Sequence, residues 1–137
     1  MSQYQLTFSR LISYPGEPDI LVPILLSLTT SMVVPVDAKF DPGSTFCVFE
    51  RVYADMLGIE VERGEFVRIR TAVGSFSAYG HELNISVKGL EWSAVVYFAE
   101  DENFPVSVVG RIGFLDRLRI GLVDYDQELY LSQYDED

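Results

Sequence analysis

The stretch Val36-Asp37-Ala38-Lys39-Phe40-Asp41-Pro42-Gly43-Ser44 decides how this chain is read. An apolar-flanked strand running straight into Asp-Pro-Gly must turn sharply there, because Pro fixes its own φ and Gly accepts conformations other residues avoid. Such a turn presents the Asp41 carboxylate at a strand end. Asp-Pro-Gly is also a common turn sequence, so by itself the tripeptide reads as a plain turn.

Composition bounds the reading. A chain of 137 residues, 48% of them hydrophobic, buries a real core and is most simply one domain spanning residues 1–133, with residues 134–137 as a frayed acidic tail. The net charge of −11 repels nucleic acid and anionic membranes, so neither is an expected partner. Its acid excess, on the C-terminal half, reads as a solvated face that would favour basic peptides. One cysteine, Cys47, cannot form an internal disulfide, and one histidine leaves no cluster for zinc, so no metal or cofactor is expected. The lone thiol fits a reducing compartment, and the chain is read as cytoplasmic. The apolar run from Ile20 to Val36 contains Pro23, Ser27, Thr29, Thr30, Ser31 and Pro35. It falls short of the ~20 apolar residues of a membrane span. Glu17 and Asp19 stand before it, where a signal peptide would be basic.

Pro and Gly divide the rest into short pieces rich in Val, Ile, Phe and Tyr, which predicts an all-β domain. Alternation marks strands at Phe66–Arg70 and Leu83–Lys88. Further strands are expected at Trp92–Ala99 and Arg119–Tyr125, the latter forming a hairpin with Glu128–Ser132 across Asp126-Gln127. Val48, Val52 and Met56 recur at helical spacing, so Cys47 to Leu57 is predicted as the main helix, with Gly58 as its stop. A shorter helical turn is expected at Gly113 to Leu118. Cys47 reads as a buried small hydrophobe, His81 as a surface or hairpin-base histidine, and Phe46, Phe49, Tyr97 and Phe98 as core and sheet-face residues.

Taken in order, these pieces resemble a retropepsin-like aspartic peptidase domain, over roughly Val36 to Leu131. Three stretches carry the resemblance: Asp41-Pro42-Gly43-Ser44 followed by a helix ending in Leu57-Gly58; the segment Thr71, Ala72, Val73, Gly74, Ser75, Phe76, Ser77, Ala78, Tyr79, Gly80; and Val108-Val109-Gly110-Arg111-Ile112-Gly113-Phe114-Leu115, which leads into a short terminal helix. The resemblance implies a closed-barrel-like β fold with one main helix, a flap hairpin over Thr71 to Gly80, and a structural Gly110-Arg111 motif. It implies Asp41 as catalytic residue in a dyad with Asp41 of a second copy, hence a homodimer acting on peptides or proteins. Gly43 would donate its N–H to the carboxylate, and the Ser44 hydroxyl would stabilise its ionised form.

One position departs from that pattern. Retropepsin-like domains carry Thr or Ser where Pro42 stands, and that residue's hydroxyl and N–H link the two loops of the dimer; Pro supplies neither. A competing function is therefore a catalytically silent module that binds a peptide or protein by strand addition. Arg111 is read either as a brace at the base of the dimer or as an ordinary surface arginine. The chain-end segments Gln3–Phe8 and Glu128–Ser132 are expected to pair in the dimer interface.

Overall fold

The computed structural model describes residues 2–29 and 32–137; Thr30 and Ser31, which interrupt the apolar run, lie outside the described residues. That run folds as a hairpin of β2 (Leu21–Thr29) and β3 (Met32–Phe40), paired from Leu21↔Lys39 through Leu26↔Val34. Val22, Ile24 and Leu26 on β2 and Val34, Val36, Ala38 and Phe40 on β3 alternate into the core. Outward-facing Leu25 and Val33 are about half exposed. The segment is apolar on both faces but buried on one, as expected of a sheet strand rather than a membrane helix. No helix among the described residues is long and apolar enough to cross a membrane.

The remaining elements are β1 (Arg10–Ser13), β4 (Val48–Phe49), α1 (Arg51–Leu57), β5 (Glu65–Thr71), β6 (Gly74–Val87), β7 (Leu90–Ala99), β8 (Val108–Val109), β9 (Leu118–Val123) and β10 (Glu128–Gln133). Strands are hydrogen-bonded in the order β2-β3-β8-β4-β7-β6-β5, and β6 also pairs with β2 through Leu25↔Ser86 to Ser27↔Asn84. That extra pairing closes β2, β3, β8, β4, β7 and β6 into a ring. The closed-barrel-like all-β architecture expected from the sequence is thus the observed one. Phe49, Phe98, Phe114, Ile24 and Leu83 are fully buried inside it, each worth ~1.5–3 kcal/mol of transfer free energy.

β6 serves two partners on one side. Its second half closes the ring against β2, while its first half pairs with β5 from Thr71↔Gly74 to Glu65↔Gly80. The β5–β6 hairpin therefore stands out from the barrel, with β5 an edge strand among the described residues. Lys88-Gly89, both at positive φ, form the two-residue turn into β7.

The main helix is shorter than its apolar spacing predicts. Val48 and Phe49 are not helical but form β4, pairing in parallel with Tyr97 and Phe98 of β7. Glu50 is extended and α1 starts at Arg51. The periodic residues Val52 and Met56 are half exposed, and the buried face is Ala54 and Leu57. Two fully buried side chains at the barrel wall outweigh the helical periodicity, since burial there is worth more than local propensity. Gly58 does stop the helix, in the left-handed region at φ 74°, with Ile59 N–H donating to Ala54 O at 2.9 Å.

The strand pairing at the chain ends also differs from expectation. The partner of Glu128–Ser132 is not Gln3–Phe8 but β1 of the same chain, in a separate sheet of order β1-β10-β9. Ile12 on β1 is buried against the core, whereas Tyr4 and Leu6 are exposed, so burial selects the later segment. The β9–β10 hairpin turns through a 3-10 turn at Asp124–Asp126 and Gln127 at φ 55°, a longer connection than Asp126-Gln127 alone. The turn expected at Gly113 to Leu118 shrinks to a 3-10 turn at Leu115–Arg117. In the acidic tail, Tyr134 N–H donates to Arg117 O and Glu136 O accepts from Arg119.

Candidate active site

Asp41 emerges from the end of β3, which pairs in parallel with β8 through Lys39↔Val108 and Phe40↔Val109. Its N–H continues that ladder, donating to Val109 O at 3.0 Å. The chain then reverses in a β-turn closed by Ser44 N–H to Asp41 O at 3.0 Å, with Pro42 at the corner that its fixed φ suits. Gly43 N–H donates to Asp41 Oδ1 at 3.1 Å, as the sequence implied. The glycine is needed for space rather than for a positive φ, which it does not have. A Cβ at this position would lie 3.3 Å from Oδ1 and crowd the carboxylate.

The Ser44 hydroxyl does not serve Asp41. It donates to Phe46 O at 2.7 Å, holding the exit of the loop rather than the ionised carboxylate. The next backbone donors belong to the Gly110-Arg111 segment: Arg111 N–H reaches Ser44 O and Ile112 N–H reaches Thr45 O, both at 2.9 Å. Gly110 is packed so closely that a Cβ would fall 2.4 Å from Phe46 O and 2.5 Å from Ser44 O. Its glycine identity thus follows from backbone crossing backbone. Arg111 contributes its N–H; its guanidinium is exposed and has no partner among the described residues.

Cys47 ties these two segments together from beneath. Its Sγ accepts from Gly110 N–H at 3.4 Å and its thiol donates to Ile112 O at 3.5 Å. Burial pushes the thiol up to about 12 from an ordinary 9.0, so it is a packed hydrophobe and not a nucleophile. His81 lies at the hairpin base, its Nε2–H donating to Val61 O at 2.8 Å beside Gly64, away from Asp41's loop. Phe46 packs edge-on against Tyr97 and Phe49 against Phe98, as wall and core residues.

Above the loop lies a cleft of about 620 Å³. Asp41, Gly43 and Ser44 form one side, and Arg68, Ile69, Arg70, Thr71 and Ala72 of β5 and its turn form the other. Phe46, Phe76, Phe104 and Val108 supply apolar lining, with Phe76 and Phe104 in ring contact at 4.6 Å. Among the described residues, Asp41 is the only acidic one lining the cleft. Of the segment read as a flap, Thr71, Ala72 and Phe76 border the cleft, and Val73 and Gly74 are the exposed tip. Thr71 Oγ1 stiffens that tip by donating to Gly74 O at 3.0 Å and accepting from Val73 N–H at 3.3 Å. Ser75 and Ser77 hydrogen-bond Arg68, Ala78 is buried, and Tyr79 and Gly80 belong to the hairpin base against Glu100 and Tyr97.

Sequence reasoning missed the contribution of β5. Arg68 and Arg70 were visible as the polar side of an alternating strand, but nothing local says that this strand is a sheet edge bordering the Asp41 cleft. Phe104 and Val106 were likewise unmarked, sitting in an irregular segment before β8.

A carboxylate at the end of a ring strand, a close-packed Gly-Arg crossing beneath it and a projecting hairpin opposite define the retropepsin-like aspartic protease fold, and this chain has that fold. It is similar to a retropepsin-like aspartic protease from Rickettsia conorii, with a TM-score of 0.66 and 15% identity over 90% of this chain and 97% of that one. EIAV protease, in a complex with an inhibitor, is similar with a TM-score of 0.55 and 19% identity over 73% of this chain and 88% of that one. No protein-family model matches the sequence, and no curated protein does.

Proposed function

We propose that this protein is an aspartic endopeptidase whose Asp41 forms a catalytic dyad with Asp41 of a second copy. The observation that carries the reading is the Asp41 carboxylate, held by Gly43 N–H at the side of a cleft faced by the β5–β6 hairpin. One chain brings one carboxylate to the cleft, and peptide hydrolysis by this route needs two. Two carboxyl groups in contact cannot both ionise, so they share a proton. The ionised Asp41 draws a proton from water, which attacks the scissile carbonyl; the protonated Asp41 donates to the carbonyl oxygen as it becomes tetrahedral. Proton return to the departing nitrogen breaks the C–N bond. The hairpin tip from Thr71 to Gly74 acts as the flap, excluding water and holding the peptide extended. A reducing, cytoplasmic setting suits the free buried Cys47.

Two observations favour a second reading, a silent peptide-binding module. Pro42 has no N–H or hydroxyl to link two loops, and the Ser44 hydroxyl is committed to Phe46 O. Losing such bonds removes ~1 kcal/mol each, so the dimer weakens before the fold does. The two readings separate by incubating the purified chain and its Asp41→Asn variant with an unstructured polypeptide library from acidic to neutral pH. The peptidase reading expects cleavage by the parent, rising with protein concentration, and none by the variant. Cleavage absent at every pH, or equal in both proteins, leaves the silent module.

A further inference from the structure

The chain carries a net charge of −11, yet the charged residues lining its cleft are two arginines, Arg68 and Arg70, against one aspartate. The acid excess, which suggested basic substrates, is therefore not what a ligand in the cleft meets. Both arginines project from β5, on the face opposite buried Ile69. Arg68 is pre-set: its Nε donates to Ser75 Oγ at 3.1 Å and a terminal nitrogen to Ser77 Oγ at 2.7 Å. Its remaining donors stay open. Arg70 is exposed, and its guanidinium has no hydrogen-bond or ion-pair partner among the described residues.

The backbone next to them is also open. Among the described residues β5 pairs only with β6, so its other edge has no strand partner there along the cleft. An extended peptide added to that edge brings its residues into cross-strand register, with alternate side chains on alternate faces. Side chains two apart then stand beside Arg68 and Arg70. The side chain between them falls on the face of Ile69 and its cross-strand neighbour Phe76, within an apolar lining completed by Phe104. A guanidinium fork suits carboxylates above other peptide groups.

We infer that the cleft selects extended peptides in which two acidic residues flank an apolar one, the carboxylates reading Arg68 and Arg70. The inference rests on the reading of the cleft as a peptide site, but not on catalysis. The probe is a fluorescein-labelled octapeptide with a central Glu-Leu-Glu, compared with its Gln-Leu-Gln counterpart and with an isomer carrying Glu-Glu-Leu. Binding is followed by anisotropy with the parent protein and the Asp41→Asn variant.

The alternating acidic peptide should bind at least about fivefold more tightly than the neutral one, the scale of one favourable exposed ion pair. Raising salt from about 50 to about 500 mM should shrink that ratio. Arg70→Gln should reduce it and Arg68→Gln with Arg70→Gln should erase it, with thermal melts confirming that both variants fold. Equal binding of acidic and neutral peptides, or a preference that survives loss of both arginines, overturns the inference; so does an isomer that binds as well as the alternating peptide. Cleavage of these peptides by the parent is scored separately. Acidic preference in binding, with the polypeptide library uncleaved at every pH, leaves the selection standing and the peptidase refuted, while cleavage without acidic preference does the reverse.

Discussion

Gly110→Ala is the substitution that most severely tests how the Asp41 loop is held. The added Cβ would sit 2.4 Å from Phe46 O and 2.5 Å from Ser44 O, both backbone atoms that no rotamer change can move. A relaxed C···O contact is about 3.3 Å, so the two segments must separate by roughly 0.9 Å. That opening breaks Arg111 N–H to Ser44 O and Ile112 N–H to Thr45 O, each 2.9 Å in the parent. Two hydrogen bonds at ~1 kcal/mol each and an overpacking strain of ~1–3 kcal/mol sum to about 3–5 kcal/mol. Urea denaturation should show that loss in the midpoint with little change in slope, and the melting temperature should fall by about 10 °C or more. Thr45→Ala, an exposed neighbour whose side chain has no hydrogen-bond partner among the described residues, is the control and should stay within ~0.5 kcal/mol. A Gly110→Ala protein as stable as that control would refute the close crossing of the Gly110-Arg111 segment and the loop.

Other outcomes follow from the same geometry. Because the Cys47 pKa is raised in the folded state, from an ordinary 9.0 to about 12, its contribution to stability is full below pH 9 and is lost as pH climbs toward 12. Urea midpoints measured across that window should decline, Cys47→Ala should lessen the decline, and iodoacetamide at pH 8 should label the parent only after unfolding. Ser44→Ala should cost ~1 kcal/mol through the lost bond to Phe46 O, while leaving the acidic limb of the activity profile in place. A shifted limb would mean the hydroxyl serves Asp41 after all. Pro42→Thr restores a hydroxyl and an N–H at the loop corner; sedimentation should show a dimer at least about tenfold tighter, the effect of one or two added hydrogen bonds.

How much of this could be read from residues alone depended on whether the deciding contact was local. The turn at Asp41 was legible because Pro42 and Gly43 act on their own backbone, and Gly43 N–H reaches a carboxylate two residues away. Gly58 was legible for the same reason. The start of α1 was not: Val48 and Phe49 are strand residues because β7 lies beside them, and β7 is some fifty positions downstream. The pairing of β1 with β10 joins opposite ends of the chain, so two short β-prone segments near the N-terminus were indistinguishable until burial of Ile12 chose between them. The Ser44 hydroxyl was expected to serve Asp41 and bonds Phe46 O instead, an acceptor that the path of the loop brings to it. Arg68 and Arg70 announced a solvent face correctly, but the cleft in front of that face is made by the ring closing elsewhere.

If two copies of Asp41 meet to form a dyad, the separation of their carboxylates in a crystal structure of this chain will show it. A symmetric pair is expected, with oxygens at hydrogen-bonding distance, about 2.5–3.0 Å, each still bonded by its own Gly43 N–H. A monomer, or a dimer whose Asp41 loops stand apart, would contradict it.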